Sequence, residues 1–376
     1  MRRGKAHIGF LSKFLVFLNA LAVFFLLLSY LAPYINPASF WPIAFLGLAY
    51  PFILLFNLLC VVFWLFRKPV FALPSVVAVV LGWNILTSFV GFRESTAIEV
   101  PKSSPDFVRI MTYNVHSFKK FGFQNEETIR DQILTIIRKE QPDVICFQEF
   151  FSRNRGKYNF KKLIKEILHT EQYYFEPTTD NGFEAIGLAI FSKFPIVKKG
   201  SIRFDEKQRG NEAIYADLRF QKQTFRVYNV HLQSIKFQPE DYEYLHQVQE
   251  DIQTDMSSSR RIGGRLKRAF IKRSKQVALV KKHTSTCTTP YLLAGDFNDT
   301  PVSYTVNQMA NGLVNTFKEK GSGLGVTYNG NFPNFQIDYI LATPNFGVRN
   351  YRIIDKKLSD HFAVRADLEL DNWAFL

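Results

Sequence analysis

Three long apolar stretches, Phe14 to Leu31, Trp41 to Phe66 and Val70 to Phe92, open the chain and are interrupted mainly by Pro, Gly, Asn and Ser. As a helix, each is long enough to cross the roughly 30 Å hydrocarbon core of a bilayer, and together they predict three transmembrane helices. A cleaved signal peptide would need a shorter apolar region; the first stretch is long and is followed by Pro33 and two more stretches like it. Beyond residue 92 the pattern changes. Arg93 to Asp106 is polar, contains Pro101 and Pro105, and reads as a linker. Glu126 to Glu140 places Ile129, Ile133, Ile136 and Ile137 on one side of a helix behind Asn125 as a cap, and Phe160 to His169 repeats the pattern with Leu163, Ile164, Ile167 and Leu168. The segments RIMTYNV, DVICFQE, GLAIFSKFPI, AIYADLRF, TFRVYNVHL, YLLAGDFND and QIDYIL are rich in β-branched and aromatic residues and read as strands. Such an order suits mixed or antiparallel sheets with helices outside. The expected organisation is a membrane anchor over 1–92, a linker over 93–107 and a catalytic domain over 108–376.

Charge orients the anchor. Arg2, Arg3, Lys5 and Lys13 precede the first stretch, Arg67 and Lys68 sit in the second connection, and Pro33 to Phe40 has no charge. The excess of Lys and Arg on cytoplasmic loops then places the amino terminus and the second connection inside. Three crossings put everything after Phe92 outside; in a bacterial cell this means an integral protein of the cytoplasmic membrane with a periplasmic or outer catalytic domain. A re-entrant span would reverse that, and Pro51 and Pro74 keep the alternative open. The net charge of +14 is concentrated between Arg260 and Lys282, where ten residues are Lys or Arg and none is acidic. Ile262, Leu266, Ala269, Phe270, Val277 and Val280 recur at helical spacing there, so one face is apolar and the rest basic. That basic face either is solvated and paired with the acidic segment Glu240 to Asp255, or meets anionic lipid headgroups or an anionic substrate. Of the cysteines, Cys60 lies in an apolar stretch, Cys146 in a buried strand and Cys287 in a polar loop, and no disulfide is expected.

Six short islands carry the candidate chemistry: Tyr113-Asn114, Gln148-Glu149, Asn229-Val230-His231, Gly295-Asp296-Phe297-Asn298, Ile337-Asp338-Tyr339 and Ser359-Asp360-His361. Each ends or follows an apolar run, so a strand end delivers each polar group, and a strand end is a rigid mount. Hydrolysis of a phosphate ester needs a hard cation, a positioned water and donors aimed at the developing charge. Glu149 is the first candidate for a cation ligand. Asp296 and Asn298 fall on one side of an extended segment, where a carboxylate can take a proton from water while an amide donates to phosphate. His231 and His361 are candidate donors to phosphoryl oxygens.

In this order the islands resemble the endonuclease/exonuclease/phosphatase superfamily, which includes apurinic endonucleases, pancreatic-type deoxyribonucleases, inositol polyphosphate phosphatases and neutral sphingomyelinases. The resemblance covers roughly Val108 to Leu370 and implies a four-layer α/β/β/α sandwich of two mixed β-sheets with the site at its top. It further implies that Glu149 holds Mg²⁺ or Mn²⁺, that Asp360 adjoins the metal, and that Asp296 orients and deprotonates water beside Asn298. Asp338 is expected to hydrogen-bond His361, and Asn114 to position the metal network and phosphate. Some nucleases of the family have aspartate two residues after the asparagine; here His116 stands there, as a substrate contact or a bystander. A nuclease would need a basic channel, for which Arg265 and Arg268 of the basic helix are candidates. The expected partners are the bilayer and a phosphate-ester substrate, with nucleic acid as a further candidate and no obligate protein partner evident. The expected function is a membrane-anchored phosphodiesterase on membrane or envelope esters, sphingomyelinase-like in outline. The alternatives are a membrane-tethered nuclease, a phosphomonoesterase and a non-catalytic scaffold.

Overall fold

The computed structural model describes residues 9–93, 102, 104–119, 126–205, 209–251, 255–330 and 333–371. Arg2, Arg3, Lys5, Pro101 and Asn125, and with them part of the charge and linker readings, lie outside the described residues. The first two apolar stretches form continuous helices, α1 (Phe10–Ser29) and α2 (Pro42–Arg67), both long and apolar enough to cross a membrane. The expectation of three transmembrane helices is corrected at its third member, which is not a continuous helix but a bent pair: among the described residues two helices could cross, or three segments if the bent pair is one span. Residues Pro69–Phe71 form a 3₁₀ turn, followed by α3 (Leu73–Leu81) and α4 (Trp83–Phe89), and the pair bends by 69° at Gly82. The prolines are not the cause. Pro51 sits inside α2 without ending it, and Pro74 stands in the first turn of α3, where its missing N–H is not needed. The break falls at Gly82, beside Tyr30, whose hydroxyl donates to the Ala78 carbonyl at 2.9 Å. Three polar side chains tie these helices together. The Ser75 hydroxyl lies 2.7 Å from Asn19 Oδ1 and 3.1 Å from Asn57 Oδ1, and Asn57 Nδ2 donates to the Ala22 carbonyl at 3.1 Å. In an apolar surrounding such bonds have no competing partner, which makes them effective helix-to-helix ties.

After α4, β1 (Val90–Phe92) leads to β2 (Phe107–Asn114), α5 (Glu126–Glu140), β3 (Val144–Arg153), α6 (Phe160–Leu168), β4 (Tyr173–Asp180), β5 (Glu184–Ser192) and β6 (Ile196–Arg203). Next come β7 (Glu212–Phe220), β8 (Gln223–His231), α7 (Pro239–Asp251), α8 (Met256–Thr284), β9 (Tyr291–Asp296) and α9 (Tyr304–Ala310). The chain closes with β10 (Val314–Asn315), α10 (Thr316–Lys320), β11 (Ser322–Leu324), β12 (Asp338–Ala342), β13 (Phe346–Ile354) and β14 (Ala363–Leu370). One sheet runs β13-β14-β2-β3-β5-β4 and the other β10-β12-β9-β8-β7-β6. Both are mixed, since β2 and β3 pair in parallel, as do β8 and β9, while their other pairs are antiparallel. Ile110, Cys146 and Ile190 of the first sheet pack on Ile214, Val227 and Ala294 of the second, which is the alternation of inward apolar residues that a sandwich requires. On the outer faces Ile129, Ile133 and Ile164 of α5 and α6 cover one sheet, and Val277, Val280 and Val306 of α8 and α9 cover the other. The architecture is therefore the expected four-layer α/β/β/α sandwich of two mixed sheets.

The apolar helices and the sandwich share packing. Val302 joins Leu26, Tyr50, Leu54 and Ala78 in one apolar cluster, and Asn307 Nδ2 donates to the Pro33 carbonyl at 2.9 Å. A ribbon not foreseen in the sequence pairs β1 with β11 antiparallel, so the segment that follows the apolar helices is hydrogen-bonded to the loop region between β10 and β12.

Candidate active site

Topology gathers the islands. β2, β3, β8 and β9 point their carboxyl ends to one edge of the sandwich, and β12 and β14, antiparallel to β9 and β2, bring their amino ends to the same edge. Gln148 and Asn229 do not enter the site. They face inward, where Gln148 Nε2 donates to Asn229 Oδ1 at 2.6 Å and Asn229 Nδ2 donates to the carbonyls of Phe147 and Ala189 at 2.8 and 3.0 Å. This bridge pins one sheet to the other beneath the site. Gly295 lets β9 close on β8: its φ is +144°, and a Cβ there would stand 2.0 Å from the Val230 carbonyl oxygen.

At the buried floor Asp296 is the hub. It accepts from Asn114 Nδ2 at 3.2 Å, from the Asn298 backbone N–H at 2.8 Å and from Asn298 Nδ2 at 3.0 Å. His231 Nε2 and His361 Nε2 lie 3.6 and 3.7 Å from its Oδ2. On its other side, His361 Nδ1 is 2.9 Å from Asp338 Oδ2, and Asp338 is itself fixed by its backbone N–H donating to Thr327 Oγ1 at 3.0 Å. Burial and the neighbouring charge of Asp338 push the Asp296 carboxyl up to about 6, against the opposing pull of His361 and His231. Burial opposes charge on His361, but Asp338 and Asp296 outweigh it and hold the imidazolium well above the usual histidine range.

The second set of groups is more open. Glu149 occupies a bulge in β3, where three β3 steps from Phe147 to Phe150 face two on β5, and its φ is +51°. A left-handed backbone at a non-glycine residue is a strained conformation that surrounding structure must hold, and here it turns the carboxylate into the cavity. His116 Nδ1 lies 3.7 Å from Glu149 Oε2 and 3.6 Å from Asp360 Oδ1, so the imidazole stands between the two carboxylates. Asp296, Asp338 and His361 also offer three ligand atoms within 4.8 Å of one another. In that cluster, however, His361 Nδ1 is taken by Asp338 and Asp296 already accepts three hydrogen bonds. Its geometry suits proton handling, whereas the more open Glu149 and Asp360 offer oxygen donors fit for a hard cation.

Asn114, His116, Glu149, His231, Asp296, Asn298, Asp360 and His361 all line one cavity of about 220 Å³, with Asp338 behind His361. Arg265 and Arg268 do not line it. Arg265 is paired with Asp241 at 2.8 Å, as is Arg261 at 2.7 Å, and Arg268 is exposed. The basic face is thus paired in part with the acidic segment. Arg273 from the same run does reach the wall: it is only 1% exposed and its Nε donates to Asp299 Oδ2 at 2.9 Å. Its spacing from Phe270 and Val277 marks it as part of the apolar face, a signal that counting charges passes over. Tyr328, whose ring meets His361 edge-on at 5.6 Å, and Tyr242 complete a wall that no motif announced.

A protein-family model described as the endonuclease/exonuclease/phosphatase family matches residues 111–361, and one described as a domain of unknown function matches residues 12–89. No curated protein matches the chain. Among solved structures, the endonuclease/exonuclease/phosphatase from Beutenbergia cavernae is similar at a TM-score of 0.50 and 19% identity, over 70% of this chain and 72% of that one. The human nocturnin catalytic domain with bound sulfate anion gives 0.50 and 19%, over 70% and 93%. The endonuclease/exonuclease/phosphatase from Bacteroides vulgatus gives 0.51 and 16%, over 70% and 99%. At these identities the solved structures speak to the fold.

Proposed function

The chain belongs to the endonuclease/exonuclease/phosphatase family, and from that premise we propose that it is a membrane-held phosphodiesterase acting on phosphate esters of the membrane or envelope. As a member of that family it is a metal-dependent hydrolase of phosphoric esters; the substrate and the role of each residue are the proposal. The observation that carries the residue roles is the buried Asp338–His361–Asp296 chain at the floor of a cavity whose rim bears Glu149 and Asp360.

Glu149 and Asp360 would hold Mg²⁺ or Mn²⁺, a cation that supplies neutralisation of charge on the phosphoryl oxygens when bound. Asp296, held by Asn114 and Asn298, accepts a proton from the attacking water. The water oxygen bonds to phosphorus as the ester P–O bond breaks. His361, kept protonated by Asp338, and His231 donate to the phosphoryl oxygens where negative charge accumulates. Asn114 lies where its second amide N–H can meet the bound phosphate, while the Asn298 amide donates to Asp296 and the Leu232 carbonyl and so positions the base.

A membrane substrate is supported by the packing of the apolar helices on the catalytic domain through Val302 and Asn307. Lys13 and Arg67 sit at the helix ends away from that contact, which supports a cytoplasmic placement of those ends and an outer catalytic domain. A nuclease remains the second reading, favoured by a neighbouring cavity of about 230 Å³ whose lining includes Arg209, Lys236, Lys272 and Lys275. The test is to reconstitute the full chain with Mg²⁺ and to follow phospholipid by phosphorus NMR and supercoiled plasmid on a gel, beside Asp296→Asn. Lipid cleavage absent from the variant is expected. Plasmid nicking with intact lipid would replace the lipid reading with the nuclease.

A further inference from the structure

Part of the cavity wall belongs to the apolar helix α2. Leu48 of α2 lines the same cavity as Asp296 and His361, next to Ile235, Phe237, Leu266 and Phe270. The contact is close. The Phe45 ring meets Phe270 edge-on at 5.4 Å, the Lys267 ammonium lies 4.6 Å from the Trp41 ring centroid, and Ala44, Phe45 and Leu48 pack against the cluster of Tyr244, Ile262, Leu266 and Phe270. Gly47 brings the helix still nearer: a Cβ there would stand 2.8 Å from the carbonyl oxygen of Val302, three residues beyond Asp299 of the cavity wall.

The depth of this wall follows from length. Arg67 marks the far end of α2, and the roughly 20 residues needed to cross the hydrocarbon core, counted back from it, reach Gly47. Trp41, before the first turn, falls where tryptophan commonly lies at the interface. Leu48 therefore stands at the boundary between acyl chains and headgroups on the catalytic side, the level at which a bilayer presents its phosphates. A cavity with a polar floor for phosphate and an apolar wall continuous with a membrane helix matches an amphiphile, not a free nucleotide.

We propose that the active site takes a phosphodiester bearing a hydrocarbon chain, and that Leu48 of the membrane helix is a specificity-determining residue against which that chain lies while the phosphate reaches Asp296 and His361. This rests on the phosphodiesterase reading above. The chain selects and positions the substrate, so its burial raises kcat/KM by an amount that grows with the methylene groups removed from water.

The test uses the full chain in lipid nanodiscs with Mg²⁺ and a series of alkyl p-nitrophenyl phosphates with methyl, hexyl and decyl groups. Hydrolysis bonds the water oxygen to phosphorus and breaks the aryl P–O bond, leaving alkyl phosphate and p-nitrophenolate. Wild type is expected to gain at least about tenfold in kcat/KM from methyl to decyl, equivalent to about 1.4 kcal/mol. Leu48→Trp, which fills the wall, should flatten that dependence, and Leu48→Met should keep it; partitioning into the disc is the same for all three. No gain with chain length in wild type, or an undiminished gain in Leu48→Trp, overturns the proposal while leaving a working phosphodiesterase. No p-nitrophenolate above the Asp296→Asn background from any ester overturns the phosphodiesterase reading and the chain site together.

Discussion

Asp296 is held in a position that costs stability when its carboxylate is charged. Its carboxyl is raised from 3.8 to about 6 by burial and by Asp338, so the folded state binds the proton more tightly than the unfolded state does. For a group shifted in this direction the penalty is absent below the ordinary value, grows between the two values, and is complete above about pH 6. In chelator, Asp296→Asn is therefore expected to melt a few degrees above wild type at pH 7.5, with the gap closing towards pH 4, while turnover falls by about two orders of magnitude or more. A variant that melts below wild type at pH 7.5 would show that the pairing with His361 outweighs burial. The sequence singles out this residue as a candidate because AGDFN combines an apolar strand, a tight glycine and two polar groups. Its three hydrogen bonds were not legible there, since Asn114 arrives from a strand far away in the chain.

At the scale of the element, strand ends explain why the islands meet. Apolar runs of period two specify which residues face the intersheet core, but not which strand lies beside which. Only pairing in the order β12-β9-β8 and β14-β2-β3 brings Asp338, Asp296, His231, His361, Asn114 and Glu149 to one edge. The Gln148–Asn229 bridge shows the difference between motif and site: both residues belong to islands, yet both hold sheet to sheet. Asn229→Ala would remove the shortest bond of Gln148, leaving it the contacts to Thr112 and the Cys146 carbonyl, and the side-chain donor to the carbonyls of Phe147 and Ala189, and should cost about 1–3 kcal/mol of stability. Denaturant titration measures it, and an unchanged midpoint would mean that the bridge is redundant. The third apolar stretch shows the opposite limit. Its hydrophobicity is that of a span, but Gly82 allows a bend that composition does not register.

For the whole molecule, the contacts of α2 and β1 join the apolar helices to the sandwich. With the basic helix ends facing away from the catalytic domain, a reporter active only outside the cytoplasm, fused to the carboxyl terminus, should be active; a signal only from a cytoplasmic reporter would mean that the bent third segment turns back. By itself the sequence determined the long apolar helices, the α/β class and the polar islands, because these follow from local periodicity and from residue types suited to oxygen-ligand and proton chemistry. The tertiary structure alone decided that Arg265 pairs with Asp241, that Arg273 is buried against Asp299, and that Leu48 lines the same cavity as Asp296. Each of these depends on contacts between segments distant in the chain, set by how helices and sheets pack, and no local pattern encodes that packing.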